Sequence, residues 1–154
     1  MWQVPALLFL AALIAVGVNH WRSDGIPLVG NWSVKAQFSD AVGQSLVVGL
    51  EEARKLHETQ KAIFVDARSE SLYREGHIQG ALNIPWQEVD RYFVEVMERL
   101  DPEKTIITYC DGETCELSHE LALFLQEMGF QSVRVLVNGW TVWKEAGLPV
   151  GKTS

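Results

Sequence analysis

Both cysteines of the chain lie in one short stretch, "TIITYCDGETCELSHELALFL", residues 105–125. A run of apolar and β-branched residues leads into Cys110. Asp111, Gly112, Glu113 and Thr114 separate it from Cys115, and a helical pattern follows. Sulfur acts as a nucleophile as the thiolate, so the question is what would stabilise an anion here. A loop that passes from a strand into a helix aims successive backbone N–H groups inward. With the positive end of the helix they form an anion cradle. Cys110 in such a cradle would be held as a thiolate without any cationic side chain. Asp111, Glu113 and Glu116 oppose this by like-charge repulsion, which leaves the sign of the cysteine's pKa shift open. The same carboxylates should deter anionic reactants and favour neutral or cationic ones, or a partner protein with a basic patch. Glu116 serves equally well as the acid of a first helical turn.

Two cysteines five positions apart are too few and too local to staple a secreted fold, and they point to chemistry instead. His119 falls four residues past Cys115, on the same helical face. The resulting C-x4-C-x3-H supplies three ligands at a spacing unlike the common zinc patterns, so no metal is expected. His119 as a proton shuttle competes with a solvated helix histidine. A cysteine phosphatase needs an arginine to clamp the phosphoryl oxygens, and the stretch after Cys110 offers Glu113 and Glu116 instead, which excludes that chemistry.

The elements that must position these residues form an alternating pattern from Ser45 onward. "SLVVGL", "AIFVDAR", "ALNIP", "TIITY" and "SVRVLV" read as strands. "EEARKLHETQ", "SESLYREG", "WQEVDRYFVEVMERL", "ELSHELALFLQEMG" and "GWTVWKEAG" read as helices between and after them. Val89, Phe93, Val96 and Leu100 form one predicted apolar stripe, and Leu117, Leu121, Phe124 and Met128 another. Strands apolar on both faces, alternating with helices, predict an α/β domain with a five-stranded parallel sheet covered on both faces. In such folds ligands sit at the carboxyl ends of the strands, where Cys110 falls.

From Met1 through Trp21 there is no Lys, Arg, Asp or Glu, and "WQVPALLFLAALIAVGV" is almost wholly apolar. A helix over this run would reach roughly 30 Å, the hydrocarbon thickness of a bilayer. Residues 1–21 are therefore expected to be a single-pass membrane anchor. A cleaved signal peptide is the rival reading, although no basic residue precedes the run. The side of the membrane that carries the domain is left open, because too few charges flank the run. Residues 22–44 read as a linker and 45–151 as the domain. All formal charge lies beyond residue 21, and the net −7 repels nucleic acid, which is excluded as a partner.

"VDAR", then "EGHIQGALNIP", then a strand ending in Cys110, then "VRVLVNGW" with "WKEAGLPV", resembles the rhodanese-like (sulfurtransferase) domain. The resemblance covers roughly residues 45–150. It implies that Cys110 accepts sulfane sulfur as a persulfide and passes it to a thiol or other nucleophilic acceptor, with no cofactor. It also implies that Asp66 and Arg68 form the D-x-R that supports the strand ends. Gly76, His77, Gly80, Ala81 and Pro85 match the turn signature, and Trp143, Gly147 and Pro149 match the closing segment. Asn138 and Gly139 stand where the family usually has two glycines. Rhodaneses often carry a glycine three positions after the cysteine and an arginine five positions after it. Here those positions hold Glu113 and Cys115, which argues against thiosulfate as donor. If the loop curls as in rhodaneses, Cys115 could reach a persulfide on Cys110, release sulfide and leave a disulfide. The alternatives are that Cys115 is a small apolar residue at a helix start, that the two cysteines form a dithiol redox module, or that the domain is a non-catalytic interaction module at the membrane.

Overall fold

The computed structural model describes residues 2–22, 37–112 and 115–153. Two compact units emerge, one over residues 1–32 and one over 33–154. The described residues of the first contain the helix α1 (Gln3–Trp21), none of whose residues is buried within the chain. It is long and apolar enough to cross a membrane.

The second unit runs α2 (Leu50–Glu58), β1 (Ala62–Asp66), α3 (Glu70–Glu75), β2 (His77–Ile78), β3 (Leu82–Asn83), a 3-10 turn (Trp86–Glu88) and α4 (Val89–Met97). It continues with β4 (Thr105–Tyr109), α5 (Leu117–Glu127), β5 (Val133–Leu136), α6 (Gly139–Glu145) and β6 (Val150–Gly151). The central sheet is parallel, in the order β3-β1-β4-β5. It has four strands among the described residues, not the predicted five. "SLVVGL" lies beside β5 but pairs through a single bridge, Val47 with Val135, because the chain enters α2 at Leu50 before a ladder can extend. A second deviation is a two-stranded antiparallel ribbon, β2 with β6, which ties the closing segment to the turn signature.

Period-2 alternation divides the core between the two faces of the sheet. Val65, Ile106, Val133 and Val135 pack with Phe93 and Val96 of α4 and Leu121, Ala122 and Leu125 of α5. Phe64, Ile107, Tyr109 and Leu136 pack with Ala53 of α2 and Trp143 of α6. The α4 stripe follows the sequence pattern, with Phe93, Val96 and Leu100 buried and Val89 packed beside them. That of α5 is rotated from the expected one. Ser118, Leu121, Ala122 and Leu125 are buried, whereas Met128, the helix's C-cap, is 50% exposed.

Part of the segment read as linker belongs to this packing. Asp40 Oδ1 accepts the N–H groups of Val42 (3.0 Å) and Gln44 (2.8 Å), and Ser39 bridges Ser45, so the chain turns back on itself. That turn inserts Phe38, 4% exposed, into the core on the α5 side. Phe38→Ala is expected to lower the unfolding free energy of the domain by about 3 kcal/mol in urea titrations. A loss below about 0.5 kcal/mol, the scale of a surface substitution, would show that residues 37–44 do not pack on the core.

Candidate active site at the carboxyl end of the sheet

β1, β4 and β5 end side by side, with Asp66 opposite Tyr109 and Tyr109 opposite Leu136, and Cys110 follows at once. Alternation sends Tyr109 to the α6 face and Thr108 and Cys110 to the α5 face. The candidate residues accordingly separate into two groups.

On the α5 face, Cys110 and Cys115 are joined as a disulfide, with Cα atoms 6.4 Å apart. That separation lies within the Cα range usual for a disulfide. Cys110 is buried at 1% exposure, while Cys115 is partly exposed. The Cys110 sulfur lies 3.3 Å from Ser118 Oγ and 3.3 Å from the Cys115 carbonyl oxygen. A disulfide sulfur has no proton to give, so the Ser118 hydroxyl is the donor there. Ser118 is fully buried, and its own carbonyl accepts a 2.7 Å bond from Thr108 Oγ1, which seats the first turn of α5 on the end of β4.

Two of the loop amides expected to form the cradle bond elsewhere. Gly112 adopts φ +92°, and its N–H donates to Asn138 Oδ1 at 2.8 Å instead of to the sulfur. The Cys115 N–H donates to the Gly112 carbonyl at 3.3 Å. Glu113 and Thr114 lie outside the described residues. Asp111 and Glu116 are exposed, and Thr141 Oγ1 donates to Asp111 Oδ1.

On the α6 face, Asp66 is completely buried and Arg68 nearly so. The guanidinium grips the carboxylate with two parallel bonds, Nε to Oδ1 at 2.9 Å and Nη2 to Oδ2 at 2.6 Å, and gives a third to the Gly76 carbonyl at 2.7 Å. Its plane also lies over Trp140, 4.8 Å from the ring centroid. Burial alone would pull the Arg68 pKa down. The hydrogen bond to Asp66 and that carboxylate's charge, with smaller contributions from Tyr109 and Asp111, outweigh it and hold the pKa above its ordinary value. Burial first, then the Asp66 charge, pushes the Tyr109 hydroxyl far up, so it stays neutral and accepts the Ile78 N–H at 3.0 Å. Arg68 thus ties the end of β1 to the turn at Gly76 through its pair with Asp66.

The two groups meet through the backbone. Trp140 N–H donates to the Cys110 carbonyl at 3.1 Å, so the helix stacked on Arg68 also fixes the residue that bears the sulfur. This close approach requires Gly139, where a Cβ would come within 2.6 Å of Tyr109 Cβ. Asn138, one residue earlier, sits at φ 50°, a left-handed conformation that asparagine tolerates. It therefore replaces a glycine and adds the tether to Gly112.

Other candidates turn elsewhere. His119 Nε2 bonds the Ser39 carbonyl at 2.9 Å and packs on Phe38, away from shuttle chemistry at the sulfur. His77 is structural, stacked on Tyr73 with Nδ1 at 2.8 Å from the Tyr73 carbonyl. Trp143 is core, its Nε1 donating to the Pro149 carbonyl. Ser118 and Asn138 were not singled out as site residues in the sequence. Only the distance of each to the loop, across 8 and 26 positions, reveals them. Arg68→Ala is expected to cost about 3–5 kcal/mol in chemical unfolding, because it strands a buried carboxylate. A loss under about 1 kcal/mol would mean that Asp66 is solvated and the pair does not organise the site.

Comparison with known proteins places this geometry. The sequence profile of the rhodanese-like domain matches residues 49–146. Thiosulfate sulfurtransferase GlpE of Coxiella burnetii is 31% identical over 93 residues, 60% of this chain and 81% of that protein. The HTH-type transcriptional regulator Rv0324 of Mycobacterium tuberculosis is 31% identical over 99 residues, 64% of this chain, but the match spans only 42% of the regulator. Among solved structures, the BH2092 protein of Bacillus halodurans superposes with a TM-score of 0.61 at 28% identity, over 70% of this chain and 77% of that one. With the profile covering well over half of its length, and with a cysteine at the end of the fourth strand, the chain belongs to the rhodanese-like domain family.

Proposed function

We propose that the chain is a membrane-anchored sulfurtransferase that carries sulfane sulfur as a persulfide on Cys110 and passes it to a thiol or another nucleophilic acceptor. The observation that carries this reading is the position of Cys110, at the carboxyl end of β4 in a parallel sheet and in contact with the first turn of α5. The likeness to GlpE of C. burnetii, a thiosulfate sulfurtransferase by name, supports the reaction class. Asp111 and Glu116 are exposed beside the loop, and no arginine stands five positions after Cys110. A dianionic donor such as thiosulfate is therefore disfavoured against neutral or cationic persulfide donors. α1 supplies the anchor that holds the domain at a bilayer surface. The Cys110–Cys115 disulfide favours a second reading, a dithiol redox module that exchanges electrons and never carries sulfur.

Intact mass spectrometry separates the two. The pre-reduced full chain with Cys115→Ser, given a low-molecular-weight persulfide, is expected to gain about 32 Da, one sulfur atom, and to lose the gain when Cys110 is also changed to Ser. No gain with any of several donors would leave the dithiol reading. For donor charge, Glu116→Gln is expected to raise kcat/KM for thiosulfate about fivefold at low salt. This corresponds to removing about 1 kcal/mol of like-charge repulsion, and the gain should shrink as ionic strength rises. An unchanged kcat/KM would show that the acidic loop does not set donor preference.

A further inference from the structure

In the disulfide state the two cysteines differ in access to solvent. Cys110 is 1% exposed with its sulfur beneath α5, whereas Cys115 is partly exposed and bonded to that sulfur. We propose that the first acceptor is internal: Cys115 is the resolving residue, and the domain is a persulfide reductase that releases hydrosulfide. This rests on the reading of Cys110 as the sulfur carrier.

The Cys115 thiolate attacks Sγ of the Cys110 persulfide. The Sγ–Sγ bond forms and the bond from Cys110 Sγ to the outer sulfur breaks, with its electron pair leaving as hydrosulfide. The sulfane sulfur is reduced by two electrons and the two cysteines are oxidised to the disulfide seen here. Asp111 and Glu116, exposed on either side, repel the departing anion towards solvent.

Regeneration needs an external dithiol. Its thiolate reaches the more accessible partner, Cys115, and displaces Cys110 as the leaving thiolate. Its second thiol then frees Cys115 and leaves with a disulfide of its own. The leaving thiolate at Cys110 is met by the Ser118 hydroxyl at 3.3 Å, in the first turn of an 11-residue helix, where negative charge is favoured. Ser118 is thus a positioning residue for the reductive half-cycle.

Single-turnover measurements on the pre-reduced full chain in detergent test this, with a low-molecular-weight persulfide as donor and no other thiol. Wild type is expected to release about one hydrosulfide per chain and to end about 2 Da lighter than its reduced form, as the disulfide. Cys115→Ser is expected to hold the added sulfur, about 32 Da, and to release at least tenfold less hydrosulfide. Ser118→Ala is expected to slow reopening of the disulfide by a dithiol at least threefold, with the rate recovering as pH rises. A Ser118→Ala rate equal to wild type removes the positioning role. Wild type that keeps a stable extra sulfur, without disulfide or hydrosulfide, overturns the resolving role while the carrier reading stands. If Cys115→Ser takes up no sulfur and wild type releases none, the carrier reading falls, and the resolving role falls with it. Should the variant misfold, the wild-type mass and hydrosulfide yield still decide.

Discussion

A carboxylate placed where no water reaches it must be matched, and Asp66 is such a group. It stands at the carboxyl end of β1 with no exposed surface, and Arg68, two residues on, folds back to meet it with a planar fork. A pair so buried contributes little net stability against an apolar substitute, since desolvation offsets most of the attraction. Its value is geometric. The same guanidinium reaches the Gly76 carbonyl and lies against Trp140, whose backbone holds the carbonyl of Cys110. One charge pair therefore sets where three segments end, and the sulfur-bearing residue is placed without being touched by it.

The division between faces of the sheet explains why the site is lean. Organising groups occupy the α6 side, and on the α5 side Ser118 is the side chain that bonds the Cys110 sulfur among the described residues. The described contacts of the Cys110 sulfur are the Cys115 carbonyl and the Ser118 hydroxyl, the latter in the first turn of α5, where a helix favours negative charge.

Much of this was legible in the sequence, for identifiable reasons. The alternation of apolar runs and helical stripes gave the layers, and the run into Cys110 marked β4, because burial on both sides of a parallel sheet leaves a continuous apolar signature. The edge segment at Val47 misled, since β-branched composition reports burial and not the length of a ladder. The α5 stripe was misjudged because Met128 lies at the end of the helix, where helical spacing no longer implies contact. Phe38 was hidden in a segment without periodicity. Ser118 and Asn138 carry no motif of their own and matter only through a fold that brings them to Cys110 and Gly112. The direction of the loop amides depends on single φ angles, such as that of Gly112, which composition cannot supply.

The claim on which the account turns is that the two cysteines open and close as a working pair. Counting alkylatable thiols on the full chain tests it most directly, first as purified without reductant, then after a dithiol, then after the dithiol is removed and a persulfide added. The account requires no reactive thiol, then two, then none again. Two reactive thiols in every state, with the donor consumed or not, would contradict it.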